Sequence, residues 1–307
     1  MIDILLATYN SSSYIEQTIK SLLKQDHQNW RLLIRDGGSK DDTLKVIEKY
    51  IQNYPDKIIF FPSRGQACAC ENFSALLIHS SSDYVMFCDH DDVWLPDKIS
   101  KSLFIMQKHE DEKGQKFPLM LFTDKYVVDK NLNIISNSYL KYQNLNPKRI
   151  HLNELLVQNV PSGCTILINR AFADLCGAIP PQAVMHDHWM ALIGATIGNI
   201  IFLNEPTLLY RQHEKNYFGA PGYGWNYFFN KFFGGIKKAR MRFYENVEQS
   251  RCFLESFKSQ LCDKDVQLMR DFSSLESYSW FKRRKILLIH KIFKTGLRRN
   301  IGMFLIV

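Results

Sequence analysis

Over the first 125 residues, short apolar runs of β type alternate four times with helical patterns: 3–6 then 12–23, 31–34 then 42–51, 58–61 then 72–78, and 84–88 then 96–107. Strands separated by helices cannot close as hairpins. They lie side by side only through crossovers that place helices on the sheet faces. The pattern therefore predicts an α/β fold with a mainly parallel central sheet flanked by helices. Substrates of such sheets bind beyond the C-terminal strand ends, where three polar loops are expected: 7–10, 36–42 and 89–92.

The last of these loops carries the sharpest chemistry. The apolar run Tyr84-Val85-Met86-Phe87-Cys88 ends in Asp89-His90-Asp91-Asp92, three carboxylates within four positions. Like charges that close repel one another, and a cation is the usual remedy at a strand end. Oxygen ligands favour Mg2+ or Mn2+ bridged to a substrate phosphate. The alternative is an acidic turn in which Asp92 caps a helix starting near Pro96.

With 307 residues and 46% hydrophobic content, the chain can build a substantial core. Seven scattered cysteines lack paired metal-site spacing, and Cys68-Ala69-Cys70 has no second pair to complete a zinc site. Reduced thiols in a cytosolic protein are expected. The N-terminus enters a strand pattern directly, without the signature of an export signal. The longest nearly apolar stretch, 191–203, is too short to span a bilayer.

From about 119 to 210 the pattern becomes mixed: strands at 119–123, 127–135 and 163–168, a helix at 186–196, and a final strand pair at 200–203 and 207–210. Residues 219–224 read as a mobile loop, and 236–262 and 265–307 read as helical. The net charge of +8 is concentrated at the end of the chain, because residues 279–307 hold eight Lys or Arg and no acid.

Three motifs in this order, Ala7-Thr8-Tyr9-Asn10, Arg35-Asp36-Gly37-Gly38-Ser39-Lys40-Asp41-Asp42-Thr43 and Asp89-His90-Asp91-Asp92-Val93-Trp94, make residues 1 to about 215 resemble family 2 glycosyltransferases of the GT-A fold. The resemblance implies a catalytic domain over 1–215, divided into a nucleotide-sugar half (1–125) and an acceptor half (126–215), with 216–307 as an extension. Ala7, Thr8, Tyr9 and Asn10 are then expected to hold a pyrimidine, and the Asp36 carboxylate to accept from its N3–H. A strand-end aromatic and a turn residue are the plainer roles of Tyr9 and Asp36. The family commonly has two acids before the glycine, whereas Gly37 stands in the second position here. Arg64 matches a segment that often places a basic side chain near the diphosphate, and equally suits a solvated loop. Asp89, with His90 beside it, is expected to face the ribose and metal, and Asp91 to ligate the metal.

In the second half, Met185-His186-Asp187-His188-Trp189 opens a predicted helix, and Asp187 matches the family's proposed general base. The plainer reading makes it a first-turn acid favoured by the helix dipole. His186, His188 and Trp189 are expected on the acceptor side, the histidines as lining, packed or ligating groups. Arg211-Gln212-His213 resembles the family segment that meets the leaving diphosphate, with His213 a further metal-ligand candidate. An exposed loop pair is the alternative. Residues 159–165 are expected to wall the acceptor.

More narrowly, the combined motifs and the basic C-terminal helix are similar to bacterial rhamnosyltransferase-like members. That implies dTDP-rhamnose or a UDP-hexose as donor, a saccharide or lipid-linked acceptor, a Mn2+ or Mg2+ cofactor, and cell-surface polysaccharide synthesis at the inner face of the membrane. The Gln-x-x-Arg-Trp motif of processive synthases is absent. At helical spacing, Phe281, Ile286, Leu288, Ile289, Ile292, Phe293 and Leu297 fall on one face and Arg283, Arg284, Lys291, Lys294 and Arg298 opposite. Such a segment can lie on an anionic membrane or dock on the catalytic domain. Aromatic and basic residues do not interleave in a nucleic-acid module. Two other functions remain open at this point: a nucleotidyltransferase acting on sugar phosphates, though its Gly-rich, Lys-containing loop is missing, and a non-catalytic nucleotide-sugar or lipid-carrier binding subunit.

Overall fold

A computed structural model describes residues 1–63, 65–213 and 235–307. Its first half runs β1 (Ile2–Thr8), α1 (Ile15–Leu23), β2 (Trp30–Asp36), α2 (Thr43–Asn53), β3 (Ile58–Phe61), α3 (Ala69–His79), β4 (Tyr84–Asp89), β5 (Val93–Trp94) and α4 (Lys98–Lys113). The second half runs β6 (Leu119–Val128), β7 (Ile134–Ser136), α5 (Tyr139–Tyr142), α6 (Leu152–Leu155), β8 (Ile166–Asn169), α7 (Arg170–Cys176), α8 (His186–Thr196) and β9 (Asn199–Arg211). Four helices close the chain: α9 (Ile236–Phe257), α10 (Asp263–Ser273), α11 (Trp280–Ile289) and α12 (Leu297–Ile306).

All described strands join one sheet of order β3-β2-β1-β4-β8-β6-β9-β5, with β7 on β6. β1, β2, β3 and β4 pair in parallel, as the alternating pattern requires, and β8 runs antiparallel between β4 and β6. β1 is buried along its whole length because both sheet faces are covered. Its side chains alternate between two cores: Leu5 joins Leu33, Phe73 and Phe87 on one face, while Ile4 and Leu6 join Ile19, Ile34 and Ile99 on the other. Helix α1 reaches that second core with Ile15, Ile19 and Leu22 at i, i+4 and i+7.

Several local expectations change. The separate strands foreseen at 200–203 and 207–210 are one continuous strand, β9: Asn204 and Glu205 are exposed within it as extra residues opposite β6, and the register shifts between Thr123 and Tyr126. Residues Gly163–Thr165 form a 3-10 turn before β8 rather than extending it. Asp92 caps nothing. It is fully buried, and α4 begins later, at Lys98.

The tail departs from a single amphipathic helix. Lys291 and Gly296 adopt positive φ, and the chain between His290 and Gly296 is not helical. Ile286 and Ile292, expected to share one apolar face with Phe281 and Leu288, part from them and join the hydrophobic core, and Phe293 stacks on Phe304. Backbone groups dock the break: Arg149 donates to the Phe293 carbonyl at 2.5 Å, Asn153 to that of Lys291 at 2.9 Å, and the Thr295 amide to Gln158 at 2.6 Å. Arg299 donates to the carbonyls of Gln143 (2.6 Å) and Asn144 (2.7 Å). No described helix is long and apolar enough to cross a membrane. All seven cysteines are free thiols. Arg64 and the loop expected at 219–224 lie outside the described residues.

Candidate active site

The parallel registers decide where the three loops meet. Ala7 pairs with Arg35 on one side and Asp89 on the other, and Thr8 pairs with Asp36, so the first, second and fourth strands end level with one another. Hydrogen bonds then tie the loops together. The Gly37 amide donates to the Thr8 carbonyl at 2.8 Å, the Asn10 amide to Ser39 Oγ at 2.7 Å, and the Lys40 amide to Asn10 Oδ1 at 2.8 Å. Asn10 sits at φ 46°, in the left-handed region that asparagine tolerates better than most residues. It thus staples the first loop to the second. Tyr9 projects into solvent at 44% exposure, available to a planar ligand.

Asp36 is buried. One of its oxygens accepts from the amides of Gly38 (2.9 Å) and Ser39 (2.7 Å), and the other from the Ser39 hydroxyl (2.5 Å). The turn role and a ligand role coexist here, because the hydroxyl-bonded oxygen retains a second lone pair. The glycine at position 37 has a steric reason. A Cβ on Gly37 would lie 2.7 Å from the Ala67 carbonyl oxygen.

The acidic loop divides into an outer and an inner part. On the outside, Asp91 Oδ2 and His213 Nε2 meet at 2.9 Å although 122 residues separate them. The short β5–β9 ladder, Val93 opposite Leu209 and Trp94 opposite Leu208, carries His213 there. Tyr14 stacks on the His213 ring at 4.6 Å. Burial would raise the Asp91 carboxyl, but the hydrogen bond and charge offered by His213, with His90 close by, outweigh it and hold the group below its ordinary range. On the inside, ligand atoms of Asp89, Asp92 and Cys164 lie within 4.8 Å of one another. Burial, then the neighbouring carboxylates, push Asp89 up and Asp92 well up. One Asp92 oxygen has no partner among the described residues.

A buried ammonium compensates this inner cluster. Lys125 Nζ donates to Ser162 Oγ at 2.7 Å and lies 3.5 Å from Cys164 Sγ, above the Tyr210 ring at 3.5 Å and the Tyr139 ring at 4.4 Å. Burial alone would lower it, yet Cys164, the two phenols and Asp92 more than offset that, so it stays charged. Lys98, also buried, bonds Thr207 Oγ1 at 3.2 Å, and burial brings it down to about 8. Neither lysine is expected from the sequence. Lys125 turns inward at the β6 register shift, a kind of irregularity that re-aims side chains beside active sites.

Asp187 sits in the first turn of α8, half-buried, and accepts from the Gly163 amide at 3.0 Å. Burial raises it to about 6, with the Asp89 charge adding to the effect. A carboxylate so tuned is mostly ionised at neutral pH yet takes a proton readily. Its chain neighbours are packed, one of the roles expected of the histidines. His188 is buried with Nε2 2.6 Å from the Leu155 carbonyl, burial lowering it to about 4, and Trp189 packs on Phe253 and Phe257. The reason is helical phase, since each step along α8 turns a side chain about 100° away from Asp187. His186 is buried against Phe73 and Phe87, directly beneath Gly163, where burial lowers it to about 3.

Arg211 is buried rather than on an exposed loop. Its guanidinium donates to the carbonyls of Asp91 (2.9 Å) and Lys130 (2.8 Å) and to Gln17 (2.6 Å), while its amide reaches Asp92 at 3.3 Å. It braces the acidic loop.

Residues 3–173 match the family described as Glycosyl transferase family 2. The chain belongs to that family. It is therefore a glycosyltransferase, which sets aside the nucleotidyltransferase and non-catalytic readings. A dTDP-rhamnosyl transferase from Shigella flexneri, RfbG, is 26% identical over 242 residues, covering 70% of this chain and 74% of that protein. An Escherichia coli glucosyltransferase, WfgD, named as acting from UDP-Glc on GlcNAc-diphosphoundecaprenol, is 28% identical over 55% of this chain and 60% of its own length. Among solved structures, S. aureus TarS residues 1-349 with UDP-GlcNAc share the fold at a TM-score of 0.54 and 15% identity, covering 94% of this chain and 80% of that one. A Pyrobaculum calidifontis mannosyltransferase with GDP-Man and Mn2+ does so at 0.55 and 13%, covering 95% and 86%. These likenesses support the GT-A type of α/β fold.

Proposed function

We propose that this glycosyltransferase moves one sugar, with inversion, from a pyrimidine nucleotide-diphosphate donor to a saccharide or lipid-linked acceptor in bacterial cell-surface polysaccharide synthesis. The observation that carries the reading is Asp187: a half-buried carboxylate raised to about 6, held by Gly163 close enough to the acidic loop to feel Asp89. Its free lone pairs can take the proton of an acceptor hydroxyl as that oxygen attacks the anomeric carbon and the nucleotide diphosphate departs on the opposite face. The likeness to a dTDP-rhamnosyl transferase favours dTDP-L-rhamnose as donor over a UDP-hexose.

Asp91 and His213 offer an oxygen and an imidazole suited to a small divalent cation such as Mn2+ or Mg2+, with the Asp91 carboxyl already held ionised, while Asp89 groups with Asp92 and Cys164 on the inner side. Such an ion, when bound, supplies charge to stabilise the leaving diphosphate. Ala7, Thr8, Tyr9 and Asn10 bind and orient the base, Asp36 shapes its loop and accepts from it, and Arg211 positions Asp91. His90, whose Nδ1 lies 3.3 Å from the Ala7 carbonyl, locks the acidic loop to the base loop.

The test is calorimetric titration with UDP, dTDP and GDP sugars, with and without Mn2+, followed by transfer assays on the donor that binds. Metal-dependent binding of one pyrimidine nucleotide, retained in Asp187→Asn while transfer disappears, is expected. Loss of both binding and transfer in that variant would make Asp187 structural and remove the base from the scheme.

A further inference from the structure

The tail uses two faces of each of its last two helices. Helix α11 buries Ile286 and Leu287 against the core, while Phe281, Leu288 and Ile289, at i, i+7 and i+8, point away from it. Helix α12 buries Met303 and leaves Leu297, Ile301 and Leu305, at i, i+4 and i+8, in solvent. These six side chains are 53–79% exposed. Arg284 fastens the two helices together: it donates to the Phe304 carbonyl at 2.5 Å and the Val307 carbonyl at 3.2 Å, with its guanidinium 3.5 Å over exposed Trp280.

Basic residues border both apolar stripes. Lys282 and Lys285 flank Phe281 and Leu288, Lys291 follows Ile289, and Arg298 adjoins Leu297, with no acid anywhere in residues 279–307. Soluble monomers rarely keep so much apolar surface in one small segment. The charge decides among possible occupants. A second copy would set one +8 tail against another, whereas a sheet of anionic headgroups matches the basic rim while acyl chains receive the apolar stripes.

We propose that α11 and α12 form a membrane-seating surface that inserts Phe281, Leu288, Ile289, Leu297, Ile301 and Leu305 into an anionic lipid layer, with Lys282, Lys285, Lys291 and Arg298 on its headgroups. This surface differs from the face expected from simple helical spacing, of which Ile286 and Ile292 lie in the protein core. Seating needs no nucleotide. It draws on the transferase reading only in that it would bring the acceptor cleft to the layer holding a lipid-linked acceptor.

The test is co-sedimentation of the full chain with vesicles of phosphatidylcholine alone and of phosphatidylcholine mixed with anionic phosphatidylglycerol. Partitioning onto the anionic vesicles should exceed that onto neutral ones at least tenfold and weaken with added salt. Leu288→Gln/Ile289→Gln/Ile301→Gln should lower it at least tenfold, and Lys282→Gln/Lys285→Gln should reduce both binding and its salt sensitivity. Donor titration of each variant checks that it is folded. Equal binding to both vesicle types, no binding, or binding unchanged in the triple variant would overturn the proposal. So would light scattering showing a dimer that the triple variant converts to monomer. Vesicle binding without donor binding would instead count against the transferase reading and leave this surface standing.

Discussion

Replacing Asp187 with asparagine should stabilise the protein while abolishing transfer. The carboxyl moves from an ordinary 3.8 to about 6 on folding, because burial disfavours its charged form. The native state therefore binds the proton more tightly than the unfolded chain. This group's contribution to stability is greatest below about pH 4, falls as pH rises to about 6, and is level above. At roughly 1.36 kcal/mol per pH unit, the gap amounts to about 3 kcal/mol lost at neutral pH. Asparagine has the same shape, carries no charge, and still offers an oxygen to the Gly163 amide, so that loss should be relieved. Urea unfolding of metal-free protein, followed by tryptophan fluorescence, should place Asp187→Asn up to about 3 kcal/mol above wild type at pH 7.5 and roughly half as far above it at pH 5. The kcat/KM of the wild type should climb with pH through about 6 and then level off, and the variant should lose at least about 100-fold. A variant less stable than wild type at pH 7.5, or a stability difference that does not shrink on acidification, would refute the argument.

Removing either member of the outer pair, by His213→Ala or Asp91→Asn, should weaken Mn2+ binding at least about tenfold by calorimetry, and unchanged affinity would exclude them as ligands. Gly163→Ala drives a Cβ to within 2.4 Å of His186 Nε2 and should cost about 1–3 kcal/mol in urea unfolding. A second change, His186→Ala, should recover part of that loss, and a neutral Gly163→Ala would mean that His186 moves aside without cost. Lys125→Met keeps the volume but strips Asp89 and Asp92 of their buried counter-charge, so unfolding should become easier by about 3–5 kcal/mol. Lys125→Arg, longer and forked, should rescue it poorly.

The nucleotide half was legible in the sequence because each of its strands is a short apolar run ended by its own polar loop, and the loops carry the motifs. The first register errors appear where two signals compete. Asn204-Glu205-Pro206 reads as a turn, yet β9 runs through it by bulging its extra residues opposite β6, where the register shifts. That shift also hides Lys125, which strand alternation gives no reason to aim at the acidic cluster. The phase of α8 could have been read, since neighbours of a helical residue rarely share its face, and would have singled out packing for His188 and Trp189. Gly296, at φ 86°, was a signal for the break in the tail. The contact of Asp91 with His213 depends on a two-residue strand that no local pattern announces.

The tail's grip on residues 143–158 also bears on how the enzyme can be dissected. Arg299 holds the carbonyls of Gln143 and Asn144, and Thr295 holds Gln158, a few residues before the turn that presents Gly163 to Asp187. A chain cut before Ser279 would lose more than its hold on lipid. It would open the core around Leu287 and Met303 and slacken the segment leading to the base, so that a shortened enzyme idle on a soluble acceptor would report a loosened catalytic wall and not a missing anchor.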